Sequence, residues 1–255
     1  MSQAVLLHEP GPPENFSYEE ITVADPGPGE AQMRQAFSGI NFIDTHFRSG
    51  LYSPGDLPAV LGREGAGVIT KLGDGVTDLS VGQRVAYGSV MGSYAEIRNI
   101  DASRLVPVPD EIADDTAAAM MLKGLTAQFL VRQVRAIGKG DTILIQAVAG
   151  GVGLILCQWA KHLGATVLGT VSSAEKAAVA KGKGCDHTIL YEEVDFVEAV
   201  MDLTDGRGAD AVYDAVGVKT FEGSMAATAE FGTVAHYGAP SGPIPPEVFG
   251  KLPRD

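Results

Sequence analysis

The chain has 255 residues, 45% of them hydrophobic and 20% charged, with a formal net charge of −13. That is enough chain to bury one large core or two modest ones, and an ordinary globular composition. The acidity, with Lys and Arg nowhere clustered, argues against nucleic acid and anionic membrane surfaces, so a phosphate-bearing ligand must be held locally by backbone N–H groups or a few placed cations. Cys157 and Cys185 share no zinc-knuckle or redox spacing, no basic-then-apolar leader opens the sequence, and no run approaches the roughly 18 apolar residues of a membrane span. The expectation is a soluble cytoplasmic protein.

From Met1 to about Leu122, short apolar stretches alternate with turn clusters such as Pro26-Gly27-Pro28-Gly29. Strands are expected at Ala31 to Phe37, Gly67 to Leu72 and Arg84 to Ala86. At about Asp114 the texture turns helical, through Ala117 to Leu122 and Thr126 to Ile137, with Gly138 as a stop and Met120-Met121-Leu122 read as core. The domains are therefore drawn as 1–124 and 125–255. Beyond the boundary, Thr142 to Ala147, Thr166 to Val171, His187 to Leu190, Ala211 to Tyr213 and Thr233 to Tyr237 read as strands separated by helices. That alternation predicts a parallel, doubly wound, Rossmann-like sheet, here with five strands where the usual dinucleotide fold has six.

The strongest local signal is Ala147-Val148-Ala149-Gly150-Gly151-Val152-Gly153, set between a predicted strand and the helix that starts Leu154-Ile155-Leu156. Glycine at such a turn lets the backbone approach a pyrophosphate, and the helix N-terminus supplies N–H groups and a positive dipole end. Val148 departs from a strict G-x-G-x-x-G frame, so the flanking strand and helix carry the reading. After Thr170, where NAD-binding folds place a ribose-binding carboxylate, the chain reads Val171-Ser172-Ser173-Ala174-Glu175-Lys176. Ser172 and Lys176 suit a 2′-phosphate and hence NADPH; a rival reading makes Ser172 or Ser173 only the cap of the next helix.

The stretch from Gly140 to Gly153 resembles the signature of the quinone oxidoreductase/zeta-crystallin family of the medium-chain dehydrogenase/reductase superfamily. Gly39-Ile40-Asn41-Phe42-Ile43-Asp44 through Tyr52, Leu61-Gly62-Arg63-Glu64-Gly65-Ala66-Gly67 and Lys123-Gly124-Leu125-Thr126-Ala127 resemble the same family's other segments. The resemblance covers nearly all of residues 1–246 and implies a β-rich GroES-like catalytic domain followed by an α/β Rossmann-like domain. It places Asn41, Asp44 and Tyr52 at the nicotinamide and substrate end as catalytic residues. Lys123 and Thr126, with Asn41, fall beside the cofactor; Ala149, Gly150, Gly151 and Val152 fall on the pyrophosphate; Ser172, Lys176 and Tyr191 surround the adenosine phosphate. Each has a plainer rival: Asn41 and Asp44 as turn or cap residues, Tyr52 as an anchor, Tyr191 as strand-end packing. Where alcohol dehydrogenase relatives carry zinc-ligating His and Cys, Arg63 and Asn41 stand, so no metal is expected.

The implied activity is metal-independent hydride transfer from NADPH to a quinone. An NADPH-dependent reductase of enones or other activated alkenes is the close alternative. A nucleotide-binding protein with little catalysis is the distant one, prompted by a C-terminus that stops before a sixth strand and a return segment. Homodimerisation, by analogy through the sixth strand, is placed in doubt by the same feature.

Overall fold

A computed structural model describes residues 1–249. The chain forms two compact units, Met1–Leu125 and the part from Thr126 onward.

The first unit is β-rich. In chain order it contains β1 (Ser2–Leu7), β2 (Phe16–Ile21), β3 (Glu30–Gly39), α1 (Phe42–Ser49), β4 (Ala59–Val60), β5 (Glu64–Leu72), β6 (Arg84–Gly88), β7 (Ile97–Asp101) and β8 (Val106–Pro107). Helix α2 (Asp114–Phe129) begins in this unit. The strands make an antiparallel sheet in the order β7-β3-β5-β6-β8 and a smaller one in the order β2-β1-β4. Ala31, Met33, Ile69, Val85, Tyr87 and Ile100 form the core against the larger sheet, at alternate positions along β3 and β6 as the two-residue side-chain period requires.

Strand β5 starts at Glu64, three residues before the expected Gly67, and this puts a carboxylate inside the sheet. Met120 is exposed, which corrects its place in the expected Met120–Leu122 core patch, while Met121 and Leu122 are half-buried and Met121 packs on the core. Ala117 and Ala118 take the fully buried face, against Ala66 and Ala86, with Met121 packed at the edge of that cluster.

In the second unit α2 ends in a π-helical turn (Leu130–Val134), followed by β9 (Thr142–Ile145), α3 (Gly151–His162), β10 (Thr166–Val171), α4 (Ala174–Gly182), β11 (His187–Leu190), α5 (Phe196–Leu203), β12 (Ala209–Asp214), α6 (Phe221–Ala226), β13 (Thr228–His236) and α7 (Pro246–Phe249). Among the described residues its sheet has five strands, all parallel, in the order β11-β10-β9-β12-β13. Both faces are covered, which is why β9 reads as an unbroken apolar run. Ile143 and Ile145 pack with Leu156, Cys157 and Ala160 of α3, and Leu144 packs on the other face with Val200 of α5.

Strand order reverses between β9, which leads on to β10, and β12, on the opposite side. In open α/β sheets ligands bind beyond the strand C-termini at such a switch point. Strand β9 ends two residues earlier than expected, because Ala147 takes a left-handed φ of 55° that no strand can continue. Strand β13 starts five residues early, across an irregular register at Ala209/Ala211 and a left-handed Phe231, features that the alternation of its side chains does not reveal.

Candidate active site

The glycine loop of the second unit is a tightly tethered turn. The N–H of Gln146 donates to Tyr213 O, that of Val148 to Thr170 O and that of Gly150 to Ala147 O, at 3.0, 3.1 and 2.8 Å. Val148, at the position where a strict motif has glycine, is fully buried over Gly169, where any side chain would collide with it. A β-carbon on Gly153 would lie 2.7 Å from the carbonyl oxygens of Ala147 and Val148, so only glycine lets α3 pack this closely on the turn. Gly150 is the N-cap of α3, which leaves the N–H groups of Gly151, Val152 and Gly153 as the helix's first turn, without carbonyls of the preceding turn to bond. Ala149 is half-buried and packs on the core, while Gly150 and Gly151 are exposed.

At the end of β10 the two serines divide the roles left open by sequence. Ser173 is the N-cap of α4, its hydroxyl accepting the Lys176 N–H at 3.3 Å. Ser172 bonds the Lys176 ammonium at 2.8 Å. Tyr191, about half exposed, follows β11, and its N–H donates to Val171 O at 3.3 Å, which brings it beside the Ser172 turn. Ser172 and Lys176 thus meet at the end of β10, with the Tyr191 backbone on the neighbouring strand end. Thr126 lies half-buried on α2.

In the first unit the predicted residues converge on Glu64, which sequence reasoning had left among the motif's flanks. Its side chain is fully buried. Glu64 Oε1 accepts from Asn41 Nδ2 at 2.8 Å and from the Lys123 ammonium at 2.5 Å; Oε2 accepts the Leu122 N–H at 2.7 Å. Gly39 makes room for it, since a β-carbon there would lie 2.3 Å from Glu64 Oε1. Lys123 also reaches Ile40 O at 3.4 Å. Its charge is thereby committed to Glu64, and Asn41, with Nδ2 anchored, keeps Oδ1 as an acceptor.

Asp44 is buried at the start of α1 and accepts from the Asn41 N–H at 2.9 Å and the Tyr94 hydroxyl at 2.7 Å, which is the cap role weighed against a cleft role. Its other oxygen is buried without a partner. Burial raises its pKa above the usual carboxylate value, opposed by the Tyr94 and Asn41 hydrogen bonds and the charge of Arg63. Tyr94 answers to the same burial and to Asp44, and its hydroxyl is held protonated well above the usual phenol range. Tyr52 is 44% exposed, edge-on to His46 and Phe47. Arg63 lies 5.6 Å over the Phe47 ring and donates to Ser89 O. Among the described residues no three His, Cys, Asp or Glu side chains gather as metal ligands.

Sequence reasoning also missed a second buried carboxylate, Asp214, at the end of β12. It accepts from the N–H groups of Val216 and Gly217 at 2.8 and 3.1 Å and from the hydroxyls of Thr220 and Ser224 at 2.9 and 2.8 Å. A signal for both was present: each is a lone carboxylate bordering an apolar or glycine-rich strand, where charge is unexpected unless paired.

Residues 27–110 match the alcohol dehydrogenase GroES-like domain family and residues 151–253 the zinc-binding dehydrogenase family. The quinone oxidoreductase of Pseudomonas aeruginosa is 45% identical over 245 residues, covering 96% of this chain and 75% of that protein. A 2-haloacrylate reductase from a Burkholderia species is 44% identical, with 96% and 76% covered. The crystal structure of Escherichia coli quinone oxidoreductase complexed with NADPH superposes with a TM-score of 0.93 at 42% identity, over 95% of this chain and 75% of that one. With its GroES-like unit followed by a parallel Rossmann-like sheet, the chain belongs to the quinone oxidoreductase family of the medium-chain dehydrogenase/reductase superfamily.

Proposed function

We propose that the protein is an NADPH-dependent quinone oxidoreductase. The carrying observation is the Ser172–Lys176 pair at the end of β10, standing where an NAD-binding fold has a carboxylate. An ammonium and a hydroxyl there attract a 2′-phosphate, where a carboxylate would repel it. Tyr191 borders the same phosphate. The N–H groups of Gly151 and Val152, with Ala149 and Gly150 shaping the turn, hold the diphosphate against the positive end of α3.

NADPH, when bound, supplies the hydride; the protein supplies orientation and electrostatics. Asn41, its amide nitrogen held by Glu64, offers Oδ1 to a donor such as the carboxamide N–H of the nicotinamide. Tyr52 presents an exposed phenol that positions the acceptor or hands it a proton. Lys123 and Thr126 border the cofactor, Lys123 acting as a strut for Glu64. Asp44 orders the start of α1, the segment that carries Asn41 and leads to Tyr52. A quinone accepts hydride with its negative charge delocalised, so the reading routes no step through a metal.

A second reading, reduction of an activated alkene with NADPH, is favoured by the identity to the 2-haloacrylate reductase. Steady-state oxidation of NADPH and NADH with a quinone panel and 2-chloroacrylate decides among these. The expected result is turnover with quinones and a preference for NADPH of about tenfold or more, the value of one strong charged contact. Preference for NADH removes the reading of Ser172 and Lys176, and faster turnover of 2-chloroacrylate than of any quinone installs the second reading. Among the described residues no helix is long and apolar enough to cross a membrane; residence in the cytoplasm and pairing of two copies are family expectations, which fractionation and light scattering would check.

A further inference from the structure

Beneath the glycine loop runs a chain of buried polar side chains that the cofactor contacts do not use. The Ala147 N–H donates to Thr170 Oγ1 at 3.0 Å, the Thr170 hydroxyl to Gln146 Oε1 at 2.7 Å, Gln146 Nε2 to Ser224 Oγ at 3.1 Å, and the Ser224 hydroxyl to Asp214 Oδ2 at 2.8 Å. Thr170, Gln146, Ser224 and Asp214 are each at most 1% exposed. Burying so many polar groups is costly unless every one is satisfied, and here each link satisfies the next.

The two ends fix the direction of the whole chain. A backbone N–H can only donate and a carboxylate can only accept, so both hydroxyl protons and the Gln146 amide have one arrangement in which each of the four contacts pairs a donor with an acceptor. Such a chain, buried and polarised in one sense, reinforces itself. It starts at Ala147, whose left-handed φ of 55° turns the chain from β9 toward α3. It ends at Asp214, which also gathers the Val216 and Gly217 N–H groups and the Thr220 hydroxyl of the turn after β12. Strands β9 and β12 are neighbours on the two sides of the switch point.

We infer that Asp214, Ser224, Gln146 and Thr170 are positioning residues for the cofactor loop: the carboxylate of Asp214 locks the Ala147 turn through this chain and ties it to the turn after β12. The inference rests on the glycine loop being the NADPH diphosphate site. If Asp214 became an amide, Ser224 would accept from it and the chain would reverse. Thr170 Oγ1 would then accept from both Gln146 and Ala147, and the Thr170 proton would lose its acceptor.

The test pairs Thr170→Val, which removes the hydroxyl at nearly constant shape, with Thr170→Ser, which keeps it; Asp214→Asn and Ser224→Ala probe the far end. Amide hydrogen exchange of the peptide covering residues 146–150 is followed without cofactor, and NADPH affinity by fluorescence titration. Thr170→Val, Ser224→Ala and Asp214→Asn should speed exchange of that peptide and weaken NADPH by about tenfold, the worth of one buried hydrogen bond. Thr170→Ser should stay within about twofold of the parent, and kcat at saturating NADPH should hold in all folded variants. Unchanged exchange in Thr170→Val, or equal weakening in Thr170→Ser, overturns the inference. Failure of the parent protein to bind NADPH would instead overturn the functional reading, and the exchange result would still decide whether the chain locks the turn.

Discussion

Among the described residues each unit buries one carboxylate completely, and the two are satisfied in opposite ways. Glu64 in the first unit faces a cation, the Lys123 ammonium, with an amide and one backbone N–H completing its shell. Asp214 in the second faces only neutral donors, two backbone N–H groups and two hydroxyls. The first arrangement concentrates compensation in one partner and the second spreads it. A concentrated site should therefore collapse when that partner is lost, and a distributed one should yield gradually.

Lys123→Met puts the largest strain on that contrast. It leaves the buried Glu64 carboxyl with two donors and no cation, and breaking a buried pair from one side costs about 3–5 kcal/mol. Thr220→Val removes one donor of several from Asp214 and should cost about 1 kcal/mol. Urea unfolding of both variants measures the difference, and equal losses would mean that the two carboxylates are held alike.

The same pair predicts a rescue. Adding Glu64→Gln to Lys123→Met removes the stranded carboxyl while an amide oxygen still accepts from Asn41 or Leu122. The double variant should be more stable than Lys123→Met alone by about 2 kcal/mol, within the range of coupling between contacting residues. Additive losses would show that the Lys123–Glu64 ion pair contributes packing and little else.

A smaller effect separates buried struts from exposed contacts. Lys176 is solvent-exposed on α4, so Lys176→Ala should move stability by less than about 0.5 kcal/mol. It should nevertheless raise KM for NADPH by about tenfold and leave KM for NADH nearly unchanged. Parallel changes for both cofactors would take Lys176 away from the 2′-phosphate.

The contrast also explains what the sequence made legible. Rossmann-like strands and the glycine loop are local in origin: an apolar run, a turn that needs glycine, a helix start. Their order along the chain was readable, and so was the gathering of Ser172 and Lys176, four residues apart on one turn. What Glu64 and Asp214 organise took shape only in three dimensions: Glu64 meets Leu122 and Lys123 from 58 and 59 residues away, and Asp214 reaches Gln146 through Ser224 of α6, 78 residues from Gln146. The motif Gly62-Arg63-Glu64-Gly65 drew notice to Arg63, at the position of a metal ligand in relatives, while the residue beside it organises the site. Met120 misled for a related reason: apolar composition does not say which face of α2 a residue takes, and Ala117, Ala118 and Met121 meet the sheet while Met120 is exposed.

Asp44 gives the smallest and most specific test, because it is a third buried carboxylate in an intermediate state. It has two donors, one unpartnered oxygen and the attraction of Arg63, and burial, aided by the repulsion of Glu64, outweighs the donors and Arg63 in raising its pKa. The folded protein therefore binds the Asp44 proton more tightly than the unfolded chain does. That contribution to stability is fully present below the ordinary carboxylate pKa of about 4 and is lost as pH rises through the raised folded value. In Asp44→Asn the titration is gone, while an amide oxygen can still accept from the Tyr94 hydroxyl and the Asn41 N–H. The variant's deficit against the parent should accordingly be larger at low pH and shrink as pH rises toward neutrality, measured by urea midpoints across the series. A deficit that grows with pH would mean that the two hydrogen bonds and Arg63 outweigh burial, and that Asp44 is held as a carboxylate.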